Sequence, residues 1–111
     1  MFDPIRFFLL ARKLATGDES ALRTSVSRAY YASFLVARER LGLSRERIPD
    51  VHYRVIVELH RRSHLVATQL HRLRQTRNRA DYDLNLSIGG RDAQEALALA
   101  EGILRWLGAL R

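Results

Sequence analysis

Between residues 22 and 41, apolar and small side chains recur at steps of three and four: Leu22, Val26, Ala29, Tyr30, Ser33, Phe34, Ala37 and Leu41. That spacing matches 3.6 residues per turn and no pleated strand. It predicts one long helix that starts at the capping-box spacing of Thr16-Gly17-Asp18-Glu19 and stops at Gly42. Such a helix has about 23 residues and a length of roughly 35 Å. Its small residues allow a neighbouring helix to approach closely.

The same periodicity runs through the rest of the chain, and no stretch alternates apolar and polar residues for long enough to make a sheet. Asp3-Pro4 has the form of a helix start, and predicts a first helix to about Ala15. Gly42 to Asp50 reads as a loop. Asp50 is placed to cap a third helix over Val51 to Arg62, with Val55, Val57 and Leu59 on its apolar side. Ser63 separates it from a fourth helix that carries Leu65, Val66, Leu70 and Leu73 and continues to Tyr82. Asn85 to Gly90 breaks the pattern. A last helix spans about Arg91 to Leu110, buried along Ala93, Ala96, Leu97, Ala100, Ile103, Leu104, Leu107 and Leu110, with Gly102 marking close packing. Five helices on short connections give an all-α fold, an antiparallel four- to five-helix bundle forming one domain over residues 1–111.

The formal net charge is +7, and Lys13 is the only lysine among the basic residues. Arginine presents a planar fork of donors suited to phosphate, so the excess favours an anionic partner such as RNA or a nucleotide. Solvated helix faces and a codon bias account for the same excess without one. Cysteine is absent, which excludes disulfides and thiolate metal sites and fits a cytoplasmic setting. The apolar run from Phe7 to Ala11 is flanked by Arg6 and Arg12 and falls far short of the about 20 residues that cross a membrane, so no membrane attachment is expected.

Two segments carry the polar chemistry. One is Ser27-Arg28-Ala29-Tyr30-Tyr31-Ala32-Ser33-Phe34, and the other runs from Leu73 to Asp83 as Leu-Arg-Gln-Thr-Arg-Asn-Arg-Ala-Asp-Tyr-Asp. In the second, Arg74, Arg77 and Asp81 share a helix face at steps of three and four. An ion-paired helix end explains such a face without any ligand. Tyr30 and Phe34 lie on the apolar stripe and are expected in the core, whereas Tyr31 lies off it and can reach a cleft or a partner. Arg28, also off the stripe, is expected beside Asp81 or Asp83, where it would tie the second helix to the fourth and position Arg77.

Arg-Ala-Tyr-Tyr-Ala-x-Phe, followed some fifty residues later by Leu-Arg-x-x-Arg-Asn-x-Ala-Asp-Tyr-Asp, resembles the small prokaryotic HEPN proteins. The opening Met-Phe-Asp-Pro, and His52 with Val55 and Ile56, fit the same group, so the likeness spans essentially the whole chain. The resemblance implies a helical bundle that forms homodimers and needs no cofactor or metal. It also implies RNA cleavage or RNA and nucleotide binding, often in a toxin–antitoxin pair with a minimal nucleotidyltransferase. By that resemblance Arg77, Asn78 and Tyr82 stand at the catalytic positions. Arg74, Arg77, Arg79, Tyr31 and His52 would meet the nucleic acid or nucleotide. Arg28, Asp81 and Asp83 would support them.

The chain departs from the catalytic pattern at one place. Tyr82 stands five residues after Arg77, where a cleaving member carries histidine, and no histidine follows Arg77. Strand cleavage by 2′-hydroxyl attack benefits from a group titrating near 7, and tyrosine as a residue type titrates near 10. Other arginine–histidine spacings, Arg47 with His52 and Arg54 with His60, arise by chance among many arginines. His60, His64 and His71 could share a face and bind zinc, but Ser63 breaks the helix between them and no cysteine or carboxylate except Glu58 joins them. Three readings follow: a ribonuclease-like toxin, a non-catalytic module that binds RNA or nucleotide or assembles with a partner, and a plain helical dimer. Apolar positions beyond one stripe, such as Leu99 and Trp106, are consistent with a dimer.

Overall fold

A computed structural model describes residues 1–45 and 49–111. It contains five helices: α1 (Ile5–Leu14), α2 (Glu19–Arg40), α3 (Val51–Arg62), α4 (His64–Tyr82) and α5 (Gly90–Trp106), with no strand among the described residues. The all-α bundle expected from the periodicity is the fold observed.

α2 is the central element and packs against the other four helices. All of its predicted stripe is buried except Leu41, which is half-buried. Ser25, Ala32 and Val36 are buried as well, so the helix is covered on several sides. Its buried hydroxyls are satisfied: Ser25 donates to the Ala11 carbonyl at 2.7 Å, and Ser33 to the Ala29 carbonyl at 3.1 Å. A lost bond of that kind would leave a buried polar group costing about 1–3 kcal/mol. Around α2 the core is filled by Val55 and Leu59 of α3, Leu70 and Leu73 of α4, and Ile103 and Leu104 of α5.

Chain neighbours α1/α2, α3/α4 and α4/α5 run antiparallel, whereas α2 and α5 run the same way. The Ile88 amide, just before α5, donates to Glu19 at the start of α2 at 3.4 Å, and Arg40 at the end of α2 donates to the Leu107 carbonyl just after α5. This parallel pair brings the beginning of α5 and the end of α4 to the same end of the bundle as the start of α2.

Several local expectations change. α2 is capped by Asp18, whose carboxylate accepts from the Ala21 amide at 3.0 Å, and not by Thr16. Glu19 is turned to Arg23 instead, at 2.9 Å. Asp50 makes no side-chain cap to α3. Ser63 does cap α4, accepting from the Val66 amide at 3.2 Å. Leu65 is 65% exposed, because it lies about 100° round the helix from buried Val66. α5 ends at Trp106, short of Leu110, where Gly108 takes φ 78° and the Ala109 amide turns back to the Leu104 carbonyl at 2.9 Å. Gly102 marks no close contact: it is exposed, and a Cβ there would meet nothing within 4 Å. Gly42 terminates α2 as expected, with φ 74°.

Candidate functional site

The last three turns of α4 divide their polar residues by helical rotation. Arg77, at 6% exposure, points inward at α2, while Asn78, Arg79 and Tyr82 point out. The Arg77 guanidinium carbon lies 5.1 Å from the Tyr30 ring centre, 5.3 Å from Tyr31 and 5.9 Å from Tyr82. Its charge is met by Asp81 one turn on, at 3.7 Å. Asp81 in turn accepts from Ser27 of α2 at 3.3 Å. The expected Arg77–Asp81 face is therefore present, and it faces the core of the bundle.

His52, in the first turn of α3, joins this cluster through Tyr30. Its ring stacks on Phe34 at 4.0 Å with planes 16° apart, and its Nδ1 shares a short hydrogen bond with the Tyr30 hydroxyl. Burial, first, and then the charges of Arg74, Arg77 and Arg38 push the His52 imidazole down to about 4. Burial also pushes the Tyr30 phenol above its ordinary range, an effect partly opposed by Arg74 and Arg77. Near pH 7 both groups are neutral. A phenol so disfavoured as an anion and an imidazole so weakly basic make a poor acid–base pair at that pH. The arrangement is better suited to holding an anion beside two arginines than to moving a proton.

Both arginines have unused donors. The Nε atoms of Arg74 and Arg77 are buried and have no hydrogen-bond partner. An unpaired buried donor on a charged group is costly, so each of these two arginines is a donor short of an acceptor. Arg74 also faces a second surface, the groove between α3 and α4 lined by Tyr53, Ile56, His60, Thr68 and His71.

The other expected residues fall as follows. Tyr31 lies between two guanidinium groups, 4.8 Å from Arg28 and 5.3 Å from Arg77. Arg28 does not reach Asp81 or Asp83. It stacks on Phe7 of α1 at 4.9 Å and donates to Ser27 at 3.3 Å. Arg79 turns away from Arg77, bonds Thr76 at 3.3 Å, and with Asn78, Tyr82 and Asn85 borders a shallow open groove of about 570 Å³. Tyr82 is 73% exposed. Asp83 closes the helix end, its carboxylate accepting from the Asn85 amide at 3.2 Å. Arg47 lies outside the described residues. His60 pairs with His64, Nδ1 to Nδ1 at 2.9 Å, and among the described residues no three side chains are grouped to hold a metal ion.

The tie between α2 and α4 that the sequence assigned to Arg28 is made by Arg23. Its guanidinium donates to the carbonyls of Ala80 at 2.9 Å, Asp83 at 3.2 Å and Arg79 at 3.4 Å, and also to Leu86. A cation on the free carbonyls of a helix C-terminus also opposes the helix dipole. Arg23 and Ser27 are four apart, so they share the face of α2 that looks at α4. That spacing was the available signal.

No family model, curated protein or solved structure matches the chain. Among the described residues no helix is long and apolar enough to cross a membrane.

Proposed function

We propose that the chain is a HEPN-like module that binds RNA or a nucleotide through a phosphate at Arg74 and Arg77, without the family's strand cleavage. One observation carries this reading: two buried guanidinium Nε donors, one turn apart, lack any acceptor. His52 and Tyr31 stand beside them, and the net charge of +7 favours a polyanion. The absence of a histidine after Arg77 and the low basicity of His52 both weigh against proton transfer near pH 7.

The test is RNA binding by fluorescence anisotropy across a salt series. Arg74→Gln is expected to weaken binding to all sequences alike and to lower the salt slope by about 1. Unchanged binding and slope would sink the reading. Arg77→Lys is a better companion than Arg77→Ala, since it keeps the charge beside Asp81. Metal-independent cleavage of RNA by the wild-type protein, lost in His52→Gln, would establish the ribonuclease-like alternative.

The same resemblance suggests a homodimer and a toxin–antitoxin pairing with a minimal nucleotidyltransferase. Exposed apolar side chains support self-association: Phe2 at 51%, Leu9 at 45% and Trp106 at 44%. A monomer mass by light scattering at tens of micromolar would count against the dimer, and failure to co-purify with a nucleotidyltransferase encoded beside it would count against the pairing.

A further inference from the structure

The groove between α3 and α4 has a lining that the phosphate reading leaves unused. Tyr53, Ile56 and His60 come from α3 at steps of three and four, so they form one continuous edge. Thr68, His71 and Arg74 come from α4 at steps of three and form the facing edge. The space between them is about 340 Å³. That is near the lower bound of ligand pockets, which start at about 300 Å³, and suits a single small ligand.

Its chemistry is graded from one end to the other. Arg74 supplies a cation whose Nε is buried without a partner, and among the described residues no carboxylate lies in the lining to neutralise it. Tyr53 supplies an aromatic face at 67% exposure, and Ile56 an aliphatic floor that is half-buried. Thr68 has its hydroxyl proton committed to the His64 carbonyl at 2.9 Å, so its oxygen is left as an acceptor. His60 has its Nδ1 committed to His64, which leaves its Nε2 for the groove. A phosphate donor set, a stacking surface and a few polar groups between them are what a nucleotide requires.

We infer that this groove binds one nucleotide unit, with the phosphate on Arg74 and the base against Tyr53 and Ile56. The inference rests on the reading that Arg74 meets a phosphate, and adds the site for the base. The nucleotide arrives either free or as one unit of a single strand.

The experiment compares 5′-AMP, ribose 5-phosphate, inorganic phosphate and hexaadenylate as ligands for the wild type, Tyr53→Ala, His71→Ala and Arg74→Gln, by calorimetry and by anisotropy for the oligonucleotide. Tyr53 and His71 are exposed, so neither substitution threatens the fold. AMP is expected to bind about tenfold more tightly than ribose 5-phosphate, the preference a stacked base confers. Tyr53→Ala should erase that preference and leave phosphate binding unchanged, and Arg74→Gln should weaken all four ligands. If the Tyr53 dependence appears only with hexaadenylate, the inference stands with the strand as the source. Equal binding of AMP and ribose 5-phosphate together with hexaadenylate binding unaffected by Tyr53→Ala overturns it. Retention of Arg74-dependent RNA binding in that case would leave the phosphate reading intact.

Discussion

Replacing His52 by phenylalanine should flatten the acid limb of the stability curve. In the folded protein the imidazole is pushed from 6.5 to about 4, chiefly by burial and then by Arg74, Arg77 and Arg38. Between those values the unfolded chain binds more protons than the folded one, so stability rises with pH there. The contribution is fully present above about pH 6.5, is lost as the pH falls toward 4, and changes no further below that. At about 1.4 kcal/mol per pH unit the whole shift sets an upper limit of roughly 3 kcal/mol, and the half-buried ring lowers this by solvent screening to about 1–2 kcal/mol. Phenylalanine keeps the stack on Phe34 and removes the titration. It also strips the Tyr30 hydroxyl of its partner, a loss that does not vary with pH. Urea unfolding followed by circular dichroism at pH 7.5, 6.5, 5.5, 4.5 and 3.5 therefore gives a difference between wild type and His52→Phe that changes by about 1–2 kcal/mol over the acid range. The other three histidines and the carboxylates cancel in that difference. A difference that stays constant with pH would mean that His52 titrates as a solvated imidazole, and the account of its burial against Tyr30 and the arginines would be wrong.

Arg77→Ala should lower stability by about 2–4 kcal/mol, because it removes the charge buried beside Asp81 and the packing on Tyr30 and Tyr31; denaturant midpoints measure it, and a loss under 1 kcal/mol would show that the guanidinium is not a structural part of the bundle. Arg23→Met should cost about 2 kcal/mol through the carbonyls at the end of α4, with faster amide hydrogen exchange confined to Ala80 through Leu86; uniform exchange along α4 would contradict the local tie. Gly102→Ala should stabilise α5 by about 0.5–1 kcal/mol, since the position is helical, exposed and open, and a lower melting temperature would reveal a contact that the fold does not contain.

The helices were legible because each carries its apolar residues at steps of three and four, and that pattern survives any tertiary arrangement. Ser63 was legible as a boundary between two helical runs, and its cap on the Val66 amide is what the structure adds. What the pattern leaves open is the rotation of each helix against its neighbours. Arg28 and Ser27 differ by one residue, or about 100°, and that angle separates a side chain stacked on Phe7 of α1 from one bonded to Asp81 of α4. Arg23 belongs to the second group, but its partners at the end of α4 and just beyond it are backbone carbonyls. Those are identical at every residue, so the four-residue spacing from Ser27 is the one signal the sequence carries. Tyr30 posed a related difficulty. Its stripe position correctly indicated the core, yet its hydroxyl binds His52, so one residue serves both packing and the polar cluster. The direction of α5 relative to α2 was equally hidden, since helical periodicity carries no information on which way a helix runs.

The Arg-Asn-x-Ala-Asp-Tyr segment shows why a motif read as a line of letters overstates its chemistry. Wound at 3.6 residues per turn, it separates into an inner set, Arg77, Ala80 and Asp81, and an outer set, Asn78, Arg79 and Tyr82. The inner set fixes α4 to α2 through the aromatic rings of Tyr30 and Tyr31 and the Ser27 hydroxyl. Those contacts are sufficient physical reason for these residue types, with or without a ligand. Loss of RNA binding in an Arg77→Ala protein would therefore carry no information unless its folding were shown intact, because a loosened α4 would displace Arg74 as well. Tyr53 stands outside that framework, and Arg74, half-buried with its Nε covered, is the arginine of the cluster that lines the open groove. Substituting them changes what a ligand meets while the bundle keeps its core, so the functional question is decided at those two positions and not at the residue that the motif makes most conspicuous.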